Sequence, residues 1–451
     1  MTLTSGMVSI AGMAVLVSGM TLAHPPRADG TAPPQPMDRV AEGYVRLVLA
    51  VGEHDSDYVD AYYGPPAWKV EADSAKLSLE TIKAQASSLL TVLGTPPRVA
   101  DQLTRLRYTY LQRQLESLKA RVSELDGHRL TFDQESRALY DAVAPSYDEA
   151  HFKRVLDRLD RRLPGAGSLA DRYATFEKGF VIPVDRLDPV FRRAIDECRV
   201  RTRKYVSLPD DERFSVEFVA GKSWSAYNWY EGNNKSLIQV NTSLPIHIDR
   251  AIDLACHEGY PGHHVQNVLA DSRLARDRGW VEWTVAPLFS PQSLIAEGSA
   301  NYGIMMAFPG TERETFEHDV LYPLAGLDSS KAAQYAQVHA LVQELSYADN
   351  EAARRYLNGT ISGDSATHWL ESYALMSPAQ AKQRVGFFDQ YRAYVINYNL
   401  GQDLVRRYVE AKAGRRASMR RKWEVFRDLL ESPRLPSGLL TPRGTVSAPT
   451  H

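Results

Sequence analysis

Only two cysteines occur in the 451 residues, Cys198 and Cys256. Two thiols cannot build a disulfide framework or a four-thiolate zinc site. Beside its neighbour His257, Cys256 reads simply as a small buried residue. Charge of one sign is also scarce, with a net of −2 at pH 7. So balanced a chain suggests neither nucleic acid nor an anionic membrane surface as partner. Past the amino terminus no run is long and apolar enough to span a bilayer. The rest is ordinary for a globular protein, 44% hydrophobic and 24% charged. A chain of this length can bury a large core.

The apolar run MVSIAGMAVLVSGMTLA (Met7 to Ala23) precedes HPPRADGTAPPQP. This predicts a signal peptide over residues 1–23 and an exported protein, periplasmic or secreted. No Lys or Arg precedes Arg27, so the usual positive start is missing. Without a working leader the protein would be cytoplasmic. Residues 24–37 read as a disordered linker and 432–451 as a loose tail. Between them, 38–431 reads as one mostly helical domain with parts 38–205 and 206–431. Val40, Tyr44, Leu47, Val48 and Val51 recur at helical spacing. HFKRVLDRLDRR reads as a helix with a solvated basic face. After Pro209 the texture changes. FSVEFV alternates, and a Gly-Asn-Asn turn follows Tyr230. The expectation is a small antiparallel sheet just before a helix that carries His257 and Glu258.

That helix holds CHEGYPGHHVQ (Cys256 to Gln266). An H-E-x-x-H helix puts two histidines on one face and aims the Glu at the metal's water. Here the second histidine's usual position is Pro261. The partner must be His263 or His264. In an unbroken helix His264 would share the face of His257, about 10.5 Å along the axis. Pro261 cannot donate to the carbonyl of His257 and crowds it. A kink or π-bulge would re-aim His263 toward His257. Otherwise the stretch is a helix end with unrelated histidines. Four of twelve histidines fall between His247 and His264. Glu297 lies on a second, largely apolar helical segment, SLIAEGSANYGIMM. A carboxylate there is costly unless paired or bound to a cation.

These residues resemble the domain-of-unknown-function 885 family, whose signature is H-E-x-x-P-G-H followed by A-E-G-x-A-x-Y. In this sequence they run from His257 to His263 and from Ala296 to Tyr302, with Ser299 where the family commonly has Trp. The resemblance implies a mostly helical zinc metallopeptidase, similar to Taq-type carboxypeptidases and neurolysin-like enzymes. On that pattern His257, His263 and Glu297 ligate one zinc and Glu258 is the general base. The family's Tyr-x-x-Gly matches Tyr398 to Gly401 and makes Tyr398 a candidate for steadying the oxyanion. His264 would be a group supporting the ligands from behind or a substrate contact, and could share with Tyr398 in steadying the oxyanion. The expected substrate is a peptide or small amide.

Two rival readings stand beside this one. The chain could be a zinc-binding scaffold without activity, or a hydrolase of non-peptide amides. Another divalent transition metal also suits two histidines and a carboxylate.

Overall fold

In a computed structural model the described residues are 36–96, 101–222, 224–414 and 416–440. The expected leader, and the linker up to residue 35, lie outside them. The structure is 68% helical with two small sheets, as the spacing predicted. The first helix starts at Pro36, so Pro36 and Met37 belong to it rather than to a linker. Its apolar face is wider than one stripe. Ala41, Val45, Leu49 and Ala50 are buried along with the five residues named above. The basic helix Glu149–Arg162 behaves as its pattern requires, burying Phe152, Val155 and Leu159 and turning its arginines outward. At the other end, Pro436–Leu439 forms a short helix with Leu435 and Leu439 buried. The packed body therefore extends beyond 431. Two more apolar side chains find the core there, so the expectation of looseness from 432 does not hold for these residues.

Five strands matter for the site: β1 (Val59–Tyr62), β2 (Arg213–Val219), β3 (Ala226–Gly232), β4 (Lys235–Asn241) and β5 (Val285–Pro287). β1 and β5 pair antiparallel. The three-stranded sheet has the order β2-β4-β3. β3 and β4 form the expected hairpin. Asn233 and Asn234 take φ of 51° and 63°, a left-handed turn that asparagine tolerates. β2, however, runs parallel to β4. The sheet is mixed, not wholly antiparallel, because β4 inserts between the strands that precede it. Alternation in sequence marks a strand but carries no direction. Ser236, Ile238 and Val240 of β4 are buried. Ile238 and Val240 line an apolar seam with Phe191, Leu254 and Ala255, which ties the sheet to the His-Glu helix.

The two cysteines are joined. Cys198, on the helix Leu187–Arg203, pairs with Cys256 in a disulfide with Cα atoms 5.8 Å apart. This corrects the reading of Cys256 as merely a small buried residue. Two thiols are too few for a framework, but one bridge fastens a neighbouring helix to the residue before His257.

Candidate metal centre

The helix Asp249–Leu254 widens into a π-turn over Ala255–Gly259. A new helix, His263–Ala270, then begins. Between them the Tyr260–Pro261 peptide is cis. Gly262 folds back on the preceding turn, and its N–H donates to the Cys256 carbonyl at 2.9 Å. A Cβ on Gly262 would lie 1.8 Å from the His257 carbonyl oxygen. Only glycine permits that return, and the return places His263 beside His257. The interruption at Pro261 is thus the device that builds the site.

Glu297 comes from the helix Pro291–Ala307. That helix packs on Ile396–Ala413 at backbone contact. A Cβ on Gly298 would be 2.3 Å from the Gly401 carbonyl carbon. The two glycines let the second helix carry Tyr398, and the turn Arg392–Val395 before it carry Tyr394, close to Glu297.

The three ligand atoms face one another. His257 Nε2 lies 3.1 Å from His263 Nε2 and 3.3 Å from Glu297 Oε2. His263 Nε2 is 3.8 Å from Glu297 Oε1. All three sets of donor atoms lie within 4.8 Å of one another. Glu258 is buried alongside, with Oε1 4.0 Å from His257 Nε2. Asn301 Oδ1 sits 3.0 Å from His257 Nδ1, and its Nδ2 donates to the Tyr398 carbonyl at 3.1 Å. An Nδ1–H donated to Asn301 fixes the ring so that Nε2 is aimed inward. The Tyr394 hydroxyl donates to Glu297 Oε1 at 2.8 Å. Glu297 Oε2 is buried and receives no hydrogen bond. An orphaned carboxylate oxygen facing two imidazole nitrogens fits a divalent cation.

The electrostatics agree with the geometry. Burial disfavours charge on His257, but Glu297 and Glu258 outweigh it and push its pKa up to about 9. Burial, with His257 already charged nearby, drives the pKa of His263 down to about 4. Burial raises Glu258 to about 7 despite His257. Burial opposes charge on Glu297 too, yet the two histidines and Tyr394 hold its pKa below the usual range. In effect one proton on His257 answers two buried carboxylates, the balance a cation would replace.

None of the known family models matches the chain. No curated protein matches it either. Among solved structures, one from Colwellia psychrerythraea described as a "putative lipoprotein" is similar, with TM-score 0.49 and 14% identity. The similarity covers 90% of this chain and 74% of that one.

Of the six residues singled out from sequence, four meet here: His257, Glu258, His263 and Glu297. Tyr398 stands next to them, half-buried, its ring 5.7 Å from that of Tyr394. Burial, then the charge of Glu297, pushes its hydroxyl pKa well above the usual range. His264 does not belong. It is fully buried, with Nδ1 2.8 Å from Ser236 Oγ and Nε2 3.0 Å from Glu212 Oε2. Adjacent residues on a helix point about 100° apart, so His264 faces the sheet when His263 faces the metal centre. Its role as a substrate or oxyanion contact is therefore withdrawn. The sequence reading missed Asn301 and Tyr394. Asn301 is four residues from Glu297, one helical turn away on the same face, whereas Tyr394 lies in the tighter turn Arg392–Val395 that leads into the helix of Tyr398.

Glu212 anchors the His264 side of the loop. It also accepts the Tyr260 hydroxyl at 2.6 Å and pairs with Arg199 at 2.8 Å. Burial would raise its pKa, but His264, Tyr260 and Arg199 hold it at about 2. A depressed carboxyl pKa contributes stability that is present above the unfolded value of 4.5 and lost as pH falls toward about 2. Glu212→Gln should therefore cost about 2–4 kcal/mol at neutral pH. Its deficit in thermal midpoint should shrink as both proteins are taken from pH 5 toward about 2. A deficit unchanged across that window would show that the Glu212 charge is not what stabilises the loop.

A second cluster, Asp249, Asp253 and His339, also meets the spacing for a metal. Arg313 already supplies its cation, bonded to Asp253 Oδ1 at 2.7 Å and to the Asp249 carbonyl at 2.9 Å. It is a buried ion-pair network.

Proposed function

We propose that this chain is a zinc-dependent hydrolase acting on peptide bonds. The observation that carries the reading is the inward-facing set of His257, His263 and Glu297, with an acid, Glu258, beside it and outside the set. Structural zinc is usually closed by four protein ligands, whereas three protein ligands mark a catalytic site. The motif likeness to the domain-of-unknown-function 885 family supports the same reading.

Zinc held by these three residues supplies Lewis acidity toward a carbonyl and toward water. The chain's own groups do the rest. Glu258, raised toward neutrality by burial, accepts a proton from the attacking water and returns it to the leaving amine. Tyr398 donates its hydroxyl to the oxyanion that develops on the substrate carbonyl. Asn301 and Tyr394 hold His257 and Glu297 in their orientations. Export is compatible with the Cys198–Cys256 bridge, since disulfides persist in oxidising compartments. No helix of the described residues is long and apolar enough to cross a membrane.

The test is hydrolysis of a mixed panel of peptides and small amides by protein loaded with one equivalent of zinc. Activity should disappear with a chelator and return with zinc. Zinc uptake without cleavage of any panel member would leave a zinc-binding protein and remove the hydrolase. Cleavage restricted to small amides would change the substrate class.

A further inference from the structure

The Tyr394 hydroxyl donates to Glu297 Oε1 at 2.8 Å. Tyr394 belongs to the turn Arg392–Val395, which joins the helix Pro378–Tyr391 to the helix Ile396–Ala413. Where the turn begins, Arg392 takes φ 50° and ψ −122°. Glycine enters that conformation freely, whereas a side chain crowds its own backbone there. Lys76 and Asp141 also have positive φ. With ψ of 50° and 27°, however, they sit in the left-handed helical region that ends many helices. Arg392 lies outside it. A residue stays in such a place only when its surroundings fix it.

Glu135 supplies the fixing. It comes from the helix Phe132–Tyr140, 257 positions away in sequence, and is 1% exposed. Its Oε2 accepts from Arg392 Nε at 2.8 Å and from Nη2 at 2.7 Å. Its Oε1 accepts the Ala393 N–H at 3.1 Å. One carboxylate therefore grips the side chain of the strained residue and the backbone of the next. Tyr140, from the same helix, packs edge-on against Tyr394, with ring centroids 6.2 Å apart. The path from Glu135 to Glu297 is continuous, running from carboxylate to turn to hydroxyl to ligand. A buried ion pair adds little to stability against an apolar replacement, because desolvating its charges is costly. What this pair does is select one backbone course for a turn that arginine would otherwise leave.

We infer that Glu135 is a positioning residue of the metal centre. By fixing the turn Arg392–Val395 it sets the Tyr394 hydroxyl on Glu297 Oε1. Oε2, the oxygen without a hydrogen bond, is then left facing His257 Nε2 at 3.3 Å. Glu135 itself touches neither metal nor substrate. This rests on the metal reading of the site and is independent of hydrolysis.

The experiment measures zinc affinity by competition with a chromophoric chelator, alongside the thermal midpoint of the zinc-free protein. It uses the full chain as wild type, Glu135→Ala, Tyr394→Phe and the double variant. Each single change should weaken zinc binding about 10–100-fold, the usual cost of losing a group that orients a metal ligand. The double variant should bind no more weakly than the weaker single variant, since both act through one hydroxyl. Arg392→Gly provides the rescue. Glycine takes the turn's backbone unaided, so Glu135→Ala combined with Arg392→Gly should recover most of the lost affinity. Glu135→Gln keeps the volume and an acceptor for the Ala393 N–H, and should fall between wild type and the alanine variant. It carries the same test if the alanine variant does not fold.

Zinc affinity unchanged in Glu135→Ala, with only the thermal midpoint lowered, would overturn the assignment and leave Glu135 a residue of the fold. Losses that add in the double variant would overturn it too, because two independent effects would then be at work. So would an Arg392→Gly change that fails to restore affinity. A wild type that takes up no zinc would remove the metal reading and this assignment with it. A wild type that binds zinc no more tightly than its Glu135 variants removes this assignment alone.

Discussion

Glu258→Gln is expected to remove turnover and leave zinc in place. The side chain keeps its size, so the buried space it occupies is still filled. Its backbone carbonyl still accepts from Asn228. None of the three ligands is touched. On the hydrolase reading, what disappears is a proton acceptor beside the reacting water. Loss of a positioned general base costs on the order of 10²–10⁴ in rate. The loss should fall on kcat, with KM little changed, because the group acts in the proton transfer rather than in substrate binding. Glu258→Asp should recover part of the activity, since it restores the carboxylate at a shorter reach. Metal content by mass spectrometry, measured with the kinetics, separates the outcomes. An active Glu258→Gln enzyme would remove Glu258 from the mechanism. An inactive variant that has also lost zinc would make Glu258 part of the metal's support instead.

The second large effect concerns the ligands. His263→Ala and Glu297→Ala are each expected to lose stoichiometric zinc. His264→Ala is expected to keep it. The adjacent histidines therefore give opposite results in one assay. His264→Ala should still be costly, but to stability. It removes one of several partners of the buried Glu212 carboxylate and the partner of the Ser236 hydroxyl, an effect of about 1–3 kcal/mol for a buried polar group that loses its hydrogen bond. Asn301→Ala should lie between these extremes. Loss of a group that orients a metal-bound imidazole typically costs 10–100-fold in affinity. Zinc retained in His263→Ala and lost in His264→Ala would exchange the two assignments and contradict the fold-back at Gly262.

Much of this site is legible in the sequence itself. His257 and Glu258 are adjacent in the chain. Glu297 stood out as a carboxylate on an apolar helix. Even the interruption of the helix was readable, because proline at 261 cannot satisfy the carbonyl of His257. What could not be read was the choice between His263 and His264. That choice depends on how far the chain turns between Gly259 and His263. The turn is set by a glycine pressed against a carbonyl, a contact that spacing along the chain does not encode.

The sequence alone therefore determined the features whose causes are local. These are the helical class, the Asn-Asn hairpin and the pairing of a histidine with an acid one residue on. Each rests on backbone preferences or on the 3.6- and 2-residue periods within a short window. Tertiary structure alone decided the rest. It set the parallel course of β2, the Cys198–Cys256 bridge, the facing of His264 toward Glu212, and the contacts of Asn301 and Tyr394 with His257 and Glu297. All of these depend on which distant segments come into van der Waals contact. That is fixed by the packing of the Pro291–Ala307 and Ile396–Ala413 helices and by the insertion of β4, not by any residue's near neighbours.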